Sequence, residues 1–226
     1  MQVNKPRLQA VESLVPKGTR LLDIGTDHGL LPLLLLARGE ITRAVLSDVN
    51  KGPLAACQRQ ALAICPKKLN KLRFVISDGF KEIPREAYKF VTICGMGGEL
   101  IAKIIEEGGD KAKLAMVLQP MSHHEKLREF LWKNGYVIRK ELYVLEGKRV
   151  YLIMHVWYRG TKIKYKPTDT YLGKIRPKTA AYNAYAKQVL HAAKKRLAGQ
   201  LLQRDIDGAW FTEQLIDEAK ACLYLG

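Results

Sequence analysis

Three acidic residues stand at or just beyond the ends of successive strand-like runs in this chain. Asp23 lies near the end of the first run, Asp48 ends the second, and Asp78 follows the third, in Ser77-Asp78-Gly79. Because the carboxyl ends of parallel strands meet at one edge of a sheet, we expect the three side chains to border one crevice. An acid after the second strand can hold both hydroxyls of a ribose, and the third can accept from an adenine amino group. One such acid alone could be a solvated turn residue, but three together predict a site for an adenosine-containing ligand.

The loop after the first strand reads Asp23-Ile-Gly25-Thr-Asp27-His28-Gly29. Glycines there let backbone N–H groups approach a ligand, and the N-terminus of the following helix favours a negative group. The D-x-G-x-x-x-G spacing is a weak signal by itself, since glycine turns also serve ordinary strand–helix connections. Asp27 adds information, because its carboxylate would repel a pyrophosphate but tolerate the sulfonium and ammonium of S-adenosylmethionine (SAM). The loop therefore favours SAM over NAD.

A run of small residues, Gly95-Met96-Gly97-Gly98, follows the fourth strand-like run. It is either a tight turn before the next helix or the edge of the pocket where a methyl acceptor approaches. Glycines at that edge make room for a flat base. The sequence lacks an N-P-P-Y type motif, which serves methylation of exocyclic amino groups. An endocyclic ring nitrogen has its own lone pair, so no proton need be removed before attack.

Weaker candidates are two adjacent histidines and three single residues. His123 and His124 look like a metal pair, but neighbours on a helix face different directions, so we expect solvated residues and no metal site. His28 is either a general base or a loop-packing residue. Cys94 could border the pocket, although packing is the favoured interpretation. Arg7 touches either a phosphate or solvent.

Short apolar runs that alternate with helical patterns must position these residues. This alternation predicts a parallel sheet covered on both faces. Two further runs, joined by Glu146-Gly147-Lys148, predict a terminal antiparallel hairpin ending at Tyr158. Five parallel strands and a closing hairpin form the plan of class I methyltransferases, with a Rossmann-like, mainly parallel seven-stranded sheet. Ser122 and Glu125 have capping-box spacing and predict a helix that runs to Asn134. The predicted strands are 20–24, 44–48, 72–76, 90–94, 114–118, 136–145 and 149–158.

Positive charge is concentrated near the end of the chain. The formal net charge is +16, and residues 159–204 hold twelve Lys/Arg but one acid, Asp169. Residues 159–178 are basic and Gly/Pro-marked, which predicts a linker. Apolar residues then recur every three or four positions, with a turn at 205–208, which predicts a helical hairpin over 179–226. Such a basic block favours a polyanion partner, with nucleic acid first.

At these motifs the chain resembles the bacterial tRNA (adenine(22)-N1)-methyltransferase family. The resemblance rests on LLDIGTDHGLLP (21–32), SDVNKGPL (47–54), ICGMGGELI (93–101), LQP (118–120) and PRLQAVESLVPKG (6–18). It covers about residues 4–158, with looser similarity in the basic hairpin. It implies a class I fold, SAM as methyl donor and a tRNA adenine as acceptor. Many relatives have an aromatic residue after DIGTDHA, where this chain has Leu30.

The resemblance assigns roles residue by residue. It implies that Gly95, Met96 and Gly97 lie on the acceptor side, where we place the catalytic residues. We add Asp27 to them, because its carboxylate could stabilise the cationic product electrostatically. The implied SAM-binding residues are Asp23, Gly25, Asp27, His28, Gly29, Asp48, Asp78, Gly79 and Gly95. Residues 1–158 are then the SAM-binding domain and 179–226 a tRNA-binding appendage.

Two alternatives remain at this point. A small-molecule methyltransferase would share the crevice but has little use for the basic tail, and an RNA-binding module would not need the acids. The longest apolar run has eight residues, against about 20 for a membrane span, and no signal peptide is evident. The four cysteines show no C-x-x-C pair. We therefore expect a cytoplasmic protein. The sequence is compatible with a monomer and leaves the oligomeric state open.

Overall fold

The computed structural model describes residues 5–224, which form one seven-stranded sheet. The spatial order is β3-β2-β1-β4-β5-β7-β6. The first five strands pair in parallel, whereas β7 is antiparallel to both β5 and β6. This confirms the predicted class I topology. The strands are β1 (Arg20–Ile24), β2 (Arg43–Asp48), β3 (Leu72–Ile76), β4 (Phe90–Met96), β5 (Ala115–Pro120), β6 (Tyr136–Glu146) and β7 (Arg149–Tyr158).

Helices cover both faces of the sheet and enclose two apolar cores. One core is built from α1, α2 and α3, and the other from the remaining helices. The helices are α1 (Pro6–Glu12), α2 (Leu30–Ala37), α3 (Lys51–Ile64), α4 (Gly98–Gly108), α5 (His124–Lys133), α6 (Pro167–Leu172), α7 (Ala180–Leu202) and α8 (Ile206–Tyr224). Short 3-10 turns lie at Pro66–Lys71, Arg85–Ala87 and Gly109–Ala112. Across the described residues, no helix is long and apolar enough to cross a membrane.

The predicted capping box at Ser122 is wrong. Helix α5 begins at His124, and His123 takes the N-cap position with a φ of 51° and no side-chain cap. Ser122 serves another contact, because its carbonyl oxygen accepts from the Gly98 N–H at 2.8 Å. The segment after β5 is thereby fixed against the start of α4, and the helix starts one residue later than the motif indicates.

The predicted helical hairpin is present as α7 and α8, but its turn is shorter than predicted. Residues 206–208 are already helical, so the turn predicted at 205–208 is wrong. Asp205 is the reason: its Oδ1 accepts from the Gly208 N–H at 3.0 Å, which is an N-cap contact. The predicted linker also contains α6, in which Thr168, Asp169, Thr170 and Leu172 are buried.

The hairpin shares a core with the sheet. Tyr182, Tyr185 and Ala186 of α7 pack in the same apolar cluster as Tyr143 of β6. At the centre of this contact lies Arg128 of α5, which is fully buried. Its guanidinium donates to Glu141 Oε1 at 2.7 Å, to the Thr170 carbonyl at 2.7 Å and to the Tyr143 and Tyr185 hydroxyls. One buried cation therefore joins α5, β6, α6 and α7.

Candidate active site

A cavity of about 560 Å³ opens where the parallel strands β1, β2, β4 and β5 end. Seven of the predicted site residues line it, and four do not. The lining residues among the predictions are Asp23, Gly25, Asp27, His28, Asp48, Gly95 and Met96. Gly29, Asp78, Gly79 and Gly97 lie outside the lining. The sheet thus brings most of the sequence candidates to one place.

Asp23 is buried at the base of this cavity, and its carboxylate accepts hydrogen bonds from other side chains of the protein. Its Oδ2 accepts from the Thr26 hydroxyl at 2.6 Å and its Oδ1 from the Thr92 hydroxyl at 2.5 Å. Burial raises the pKa of the Asp23 carboxyl to about 6, although both hydroxyl donors act in the opposite direction. These contacts join the loop after β1 to β4 and fix the floor of the cavity.

The glycine loop uses its first two N–H groups internally. Gly25 and Thr26 both donate to the Ser47 carbonyl oxygen, at 2.8 and 3.1 Å. Gly25 has a φ of 71°, and Met96 Cε occupies the space that a Cβ would take. These two amides cannot also bind a phosphate, so the expected approach of loop amides to the ligand is absent at Gly25 and Thr26. The loop is therefore a poor pyrophosphate cradle.

Asp27 and His28 point toward solvent at the mouth of the cavity. Asp27 has a φ of 47°, and its side chain is 80% exposed. The His28 Nε2 lies 3.7 Å from Asp27 Oδ1. Gly29 differs from both, because a Cβ there would meet Leu46 and Cys57. Gly29 thus permits close packing of α2 against β2 and α3, and it lies outside the cavity lining.

The second and third strand-end acids have different surroundings. Asp48 is half-buried beside the cavity, and its Oδ1 accepts from the Asn50 N–H at 2.9 Å. Asp78 is exposed and forms an ion pair with Lys81 at 2.5 Å, which lowers the pKa of the Asp78 carboxyl. A Cβ at the neighbouring Gly79 would contact Ile104 of α4. In this structure Asp48 borders the crevice, whereas Asp78 and Gly79 do not.

In the Gly95-Met96-Gly97-Gly98 run, the first two residues line the cavity and the last two lie at the start of α4. Gly95 has a φ of 79°, open space where a Cβ would stand, and an N–H that donates to Gln119 Oε1 at 3.2 Å. A Cβ at Gly97 would lie 3.2 Å from the Ser122 hydroxyl, and one at Gly98 would collide with the His123 carbonyl oxygen. Gly95 and Met96 therefore face the cavity, and the last two glycines allow α4 to start against residues 122–123.

Arg7, named from the sequence only as a weak candidate, lines the cavity together with Gln119 and Met121, which were not predicted. The Gln119 side chain is buried, and its Oε1 accepts from Arg7 Nη1 at 3.3 Å as well as from Gly95. The Arg7 guanidinium also lies 4.9 Å from the centroid of the Tyr151 ring. Arg7 and Gln119 are 112 positions apart, and the only sequence signals for them were the PRLQAVESLVPKG and LQP motifs. Together they fix one wall of the cavity.

The other weak candidates, Cys94 and His124, have surroundings that favour a packing role. Cys94 lines the cavity, but burial raises the pKa of its thiol far above the usual range, so the thiolate needed for nucleophilic attack is disfavoured. His124 is not solvated as expected: its ring packs 5.7 Å from that of Tyr185, and burial lowers its pKa to about 4. In residues 5–224 no group of three or more His, Cys, Asp or Glu is arranged to hold a metal ion.

A family model described as a methyltransferase domain matches residues 4–154, which contain all of these cavity residues. The chain belongs to this methyltransferase family. The methyltransferase domain therefore spans the sheet from α1 into β7. This confirms the class predicted from the DIGTDH and GMGG motifs.

The methyltransferase domain has relatives of known assignment. Over 151 residues it is 33% identical to tRNA (adenine(22)-N(1))-methyltransferase of Bacillus subtilis, a match that covers 66% of this chain and 62% of that protein. A crystal structure of Streptococcus pneumoniae Sp1610, a candidate tRNA (m1A22) methyltransferase, is 28% identical, covers 99% and 100% of the two chains, and has a TM-score of 0.85. The same protein in complex with S-adenosyl-L-methionine has a TM-score of 0.81 at 27% identity, over 98% and 100% of the chains. These matches confirm the family resemblance.

Proposed function

We propose that this protein transfers a methyl group from SAM to N1 of an adenine in tRNA, at position 22. The observation that carries the proposal is the cavity at the strand ends, which places Asp48, the proposed ribose acid, in one lining with the open backbone at Gly95. The Bacillus subtilis relative, which bears this activity in its name, supports the choice of substrate. We further propose that the protein acts in the cytoplasm.

The residues around the cavity fit SAM. Asp48 would hold the ribose hydroxyls, and the carboxylate of Asp27 would attract the cationic half of the ligand. A phosphate-rich cofactor fits less well, because the Gly25 and Thr26 amides are already bonded to Ser47. When bound, SAM supplies an electrophilic methyl group.

This chain's own residues would mainly orient the reactants. The Gln119 side chain holds both Arg7 and the Gly95 backbone, so the wall at the acceptor edge is fixed before any ligand binds. Such preorganisation brings the ring nitrogen and methyl group into line. Neutral adenine N1 carries a lone pair, so attack needs no general base. The product ring is cationic, and Asp27 would stabilise that charge electrostatically.

The basic tail would bind the tRNA phosphates. Of the twelve cations in residues 159–204, only Arg176 is not exposed, and it pairs with Asp169 and Glu218. Tyr185 of α7 packs on His124, which lies three positions after Met121 of the cavity lining. A phosphate backbone can therefore follow the hairpin toward the acceptor edge.

Replacement of Asp48 by asparagine tests the cofactor half of the proposal. We expect SAM to bind roughly five- to a hundredfold more weakly, because charge-assisted hydrogen bonds to the ribose are lost. Calorimetric titration of the folded variant measures the change. Asp110→Asn is the matched control, because Asp110 is an exposed acid that pairs with Lys113 outside the cavity lining, and it should leave SAM affinity unchanged. Equal affinities for wild type and Asp48→Asn would show that Asp48 does not bind the ribose.

Replacement of Gly95 by alanine tests the acceptor edge. The new methyl group would enter the open space beside Met96, and we expect methylation to fall about tenfold or more. Gly18→Ala is the control, because Gly18 has a similar φ of 73° and open surroundings far from the cavity. Both variants carry the same backbone strain of about 1–2 kcal/mol. If the two variants lose methylation equally, Gly95 is only a turn residue.

A further inference from the structure

A second cavity, of about 580 Å³, lies on the terminal β-hairpin. It is lined by Val137, Arg139, Trp157, Tyr158 and Arg159, which we call the Trp157 patch. The patch joins two aromatic rings with two guanidinium groups, and no acid is among its lining residues. Trp157 is 51% exposed, which is unusual for so large an apolar side chain.

A bulge in β6 builds the patch. Ile138 pairs with Val156 and Lys140 with His155, so Arg139 is the extra residue between them. The bulge directs Arg139 onto its neighbouring strand, and its Cζ lies 4.9 Å from the centroid of the Trp157 ring. This cation–π contact presents a flat, charged and aromatic surface to solvent.

The patch is separate from the SAM cavity. Trp157 pairs with Ala115, the first residue of β5, whereas the catalytic cavity is lined by Gln119 near the other end of that strand. The two cavities therefore lie near opposite ends of β5. Nothing in the proposed methyl transfer uses the Trp157 patch.

Positive charge continues from the patch to the helical hairpin. Arg139, Lys140 and Arg159 are exposed, and none forms an ion pair within residues 5–224. The chain then carries the exposed Lys162 and Lys164, and Lys174 Nζ donates to the Lys164 carbonyl at 2.7 Å. A basic surface thus runs from the patch along the linker toward α7.

We propose that the Trp157 patch is a second RNA-binding site, which takes phosphates on its arginines and stacks an unpaired base on the Trp157–Arg139 pair. The inference rests on the proposed function, because tRNA is the RNA that the enzyme would hold. Phosphates match the uncompensated cations, and every base offers a flat face to an aromatic ring. The patch lengthens the tRNA contact beyond the hairpin and the catalytic cavity.

The charge part of the proposal is tested with the double variant Arg139→Gln/Arg159→Gln. We expect tRNA to bind about tenfold more weakly in a filter-binding assay, and the slope of log K against log salt to shrink by about 2. Arg43→Gln/Arg73→Gln removes the same charge from exposed arginines of β2 and β3 and should change neither value. SAM affinity should stay that of wild type in all of these variants.

The stacking part is tested at Trp157. Trp157→Ala should weaken tRNA binding about fivefold or more with an unchanged salt slope, and Trp157→Phe should keep most of the affinity. Wild-type affinity and slope in both the Arg139→Gln/Arg159→Gln and Trp157→Ala proteins would overturn the proposal. Self-association of the arginine variant, with unchanged tRNA binding, would also overturn it and would assign Arg139 to protection of the β6 edge. If the wild-type protein binds tRNA through the patch but transfers no methyl group to it, the proposed function fails and the patch stands.

Discussion

Replacement of Arg128 by methionine should lower the free energy of unfolding by about 3–5 kcal/mol. Arg128 and Glu141 are both fully buried, and their ion pair measures 2.7 Å. Removal of the cation would leave a buried carboxylate without its charged partner, and the Thr170 carbonyl would lose a donor. Urea denaturation followed by circular dichroism measures the change. The effect is expected to be large because one side chain joins four elements of the fold.

Arg38→Met is the control for this substitution. Arg38 also pairs with two acids, Glu12 and Glu40, but at the surface, where such pairs contribute at most about 1 kcal/mol. The double variant Arg128→Met/Glu141→Leu should recover part of the lost stability, because no unpaired charge is then buried. If Arg128→Met costs no more than Arg38→Met, the buried network does not hold the hairpin to the sheet.

The contact of Arg128 with α6 and α7 also limits which variants can test the role of residues 160–226. From the sequence, the sheet closed at Tyr158 should fold and bind SAM without residues 160–226. The structure argues against a clean truncation, because Tyr143 and Arg128 would be left exposed or unsatisfied without α6 and α7. We therefore expect the truncated protein to aggregate or to melt at a lower temperature. Point substitutions are the better test of the tail.

The triple variant Lys187→Gln/Lys194→Gln/Lys195→Gln should bind tRNA roughly ten- to a hundredfold more weakly. These lysines are exposed on α7 at a spacing that places them on one helix face. If each meets a phosphate, the slope of log K against log salt should shrink by about 2–3. Binding measured over a range of salt concentrations gives both values, and SAM affinity should not change.

The matched control is Lys67→Gln/Lys71→Gln/Arg73→Gln. It removes the same charge from exposed positions in and beside β3, at the other edge of the sheet. A general effect of net charge would weaken tRNA binding equally in both triple variants. Equal losses of tRNA affinity in the two variants would show that the lysines of α7 do not form part of the tRNA-binding site.

The sheet could be predicted because its apolar runs are continuous and its helices follow at regular spacing. The place of Asp48 beside the cavity could be predicted as well, since its position at the end of β2 follows from chain order alone. The ion pair of Asp78 with Lys81 could not be predicted, because the sequence does not show whether a strand-end acid turns to the crevice or to a nearby lysine. The contact of Arg7 with Gln119 joins distant parts of the chain, and no local pattern encodes it. The roles of Gly97 and Gly98 depend on residues 122–123, which pack against them only in the folded protein.

The proposed activity is tested most directly by methyl transfer from labelled SAM to tRNA, followed by digestion to nucleosides and mass spectrometry. We predict that the label appears in 1-methyladenosine, and that tRNA with guanine in place of adenine 22 is not labelled. A small-molecule panel run in parallel should remain unlabelled. Label in another nucleoside, label only in a small molecule, or no transfer by a protein that binds SAM would contradict the proposed activity.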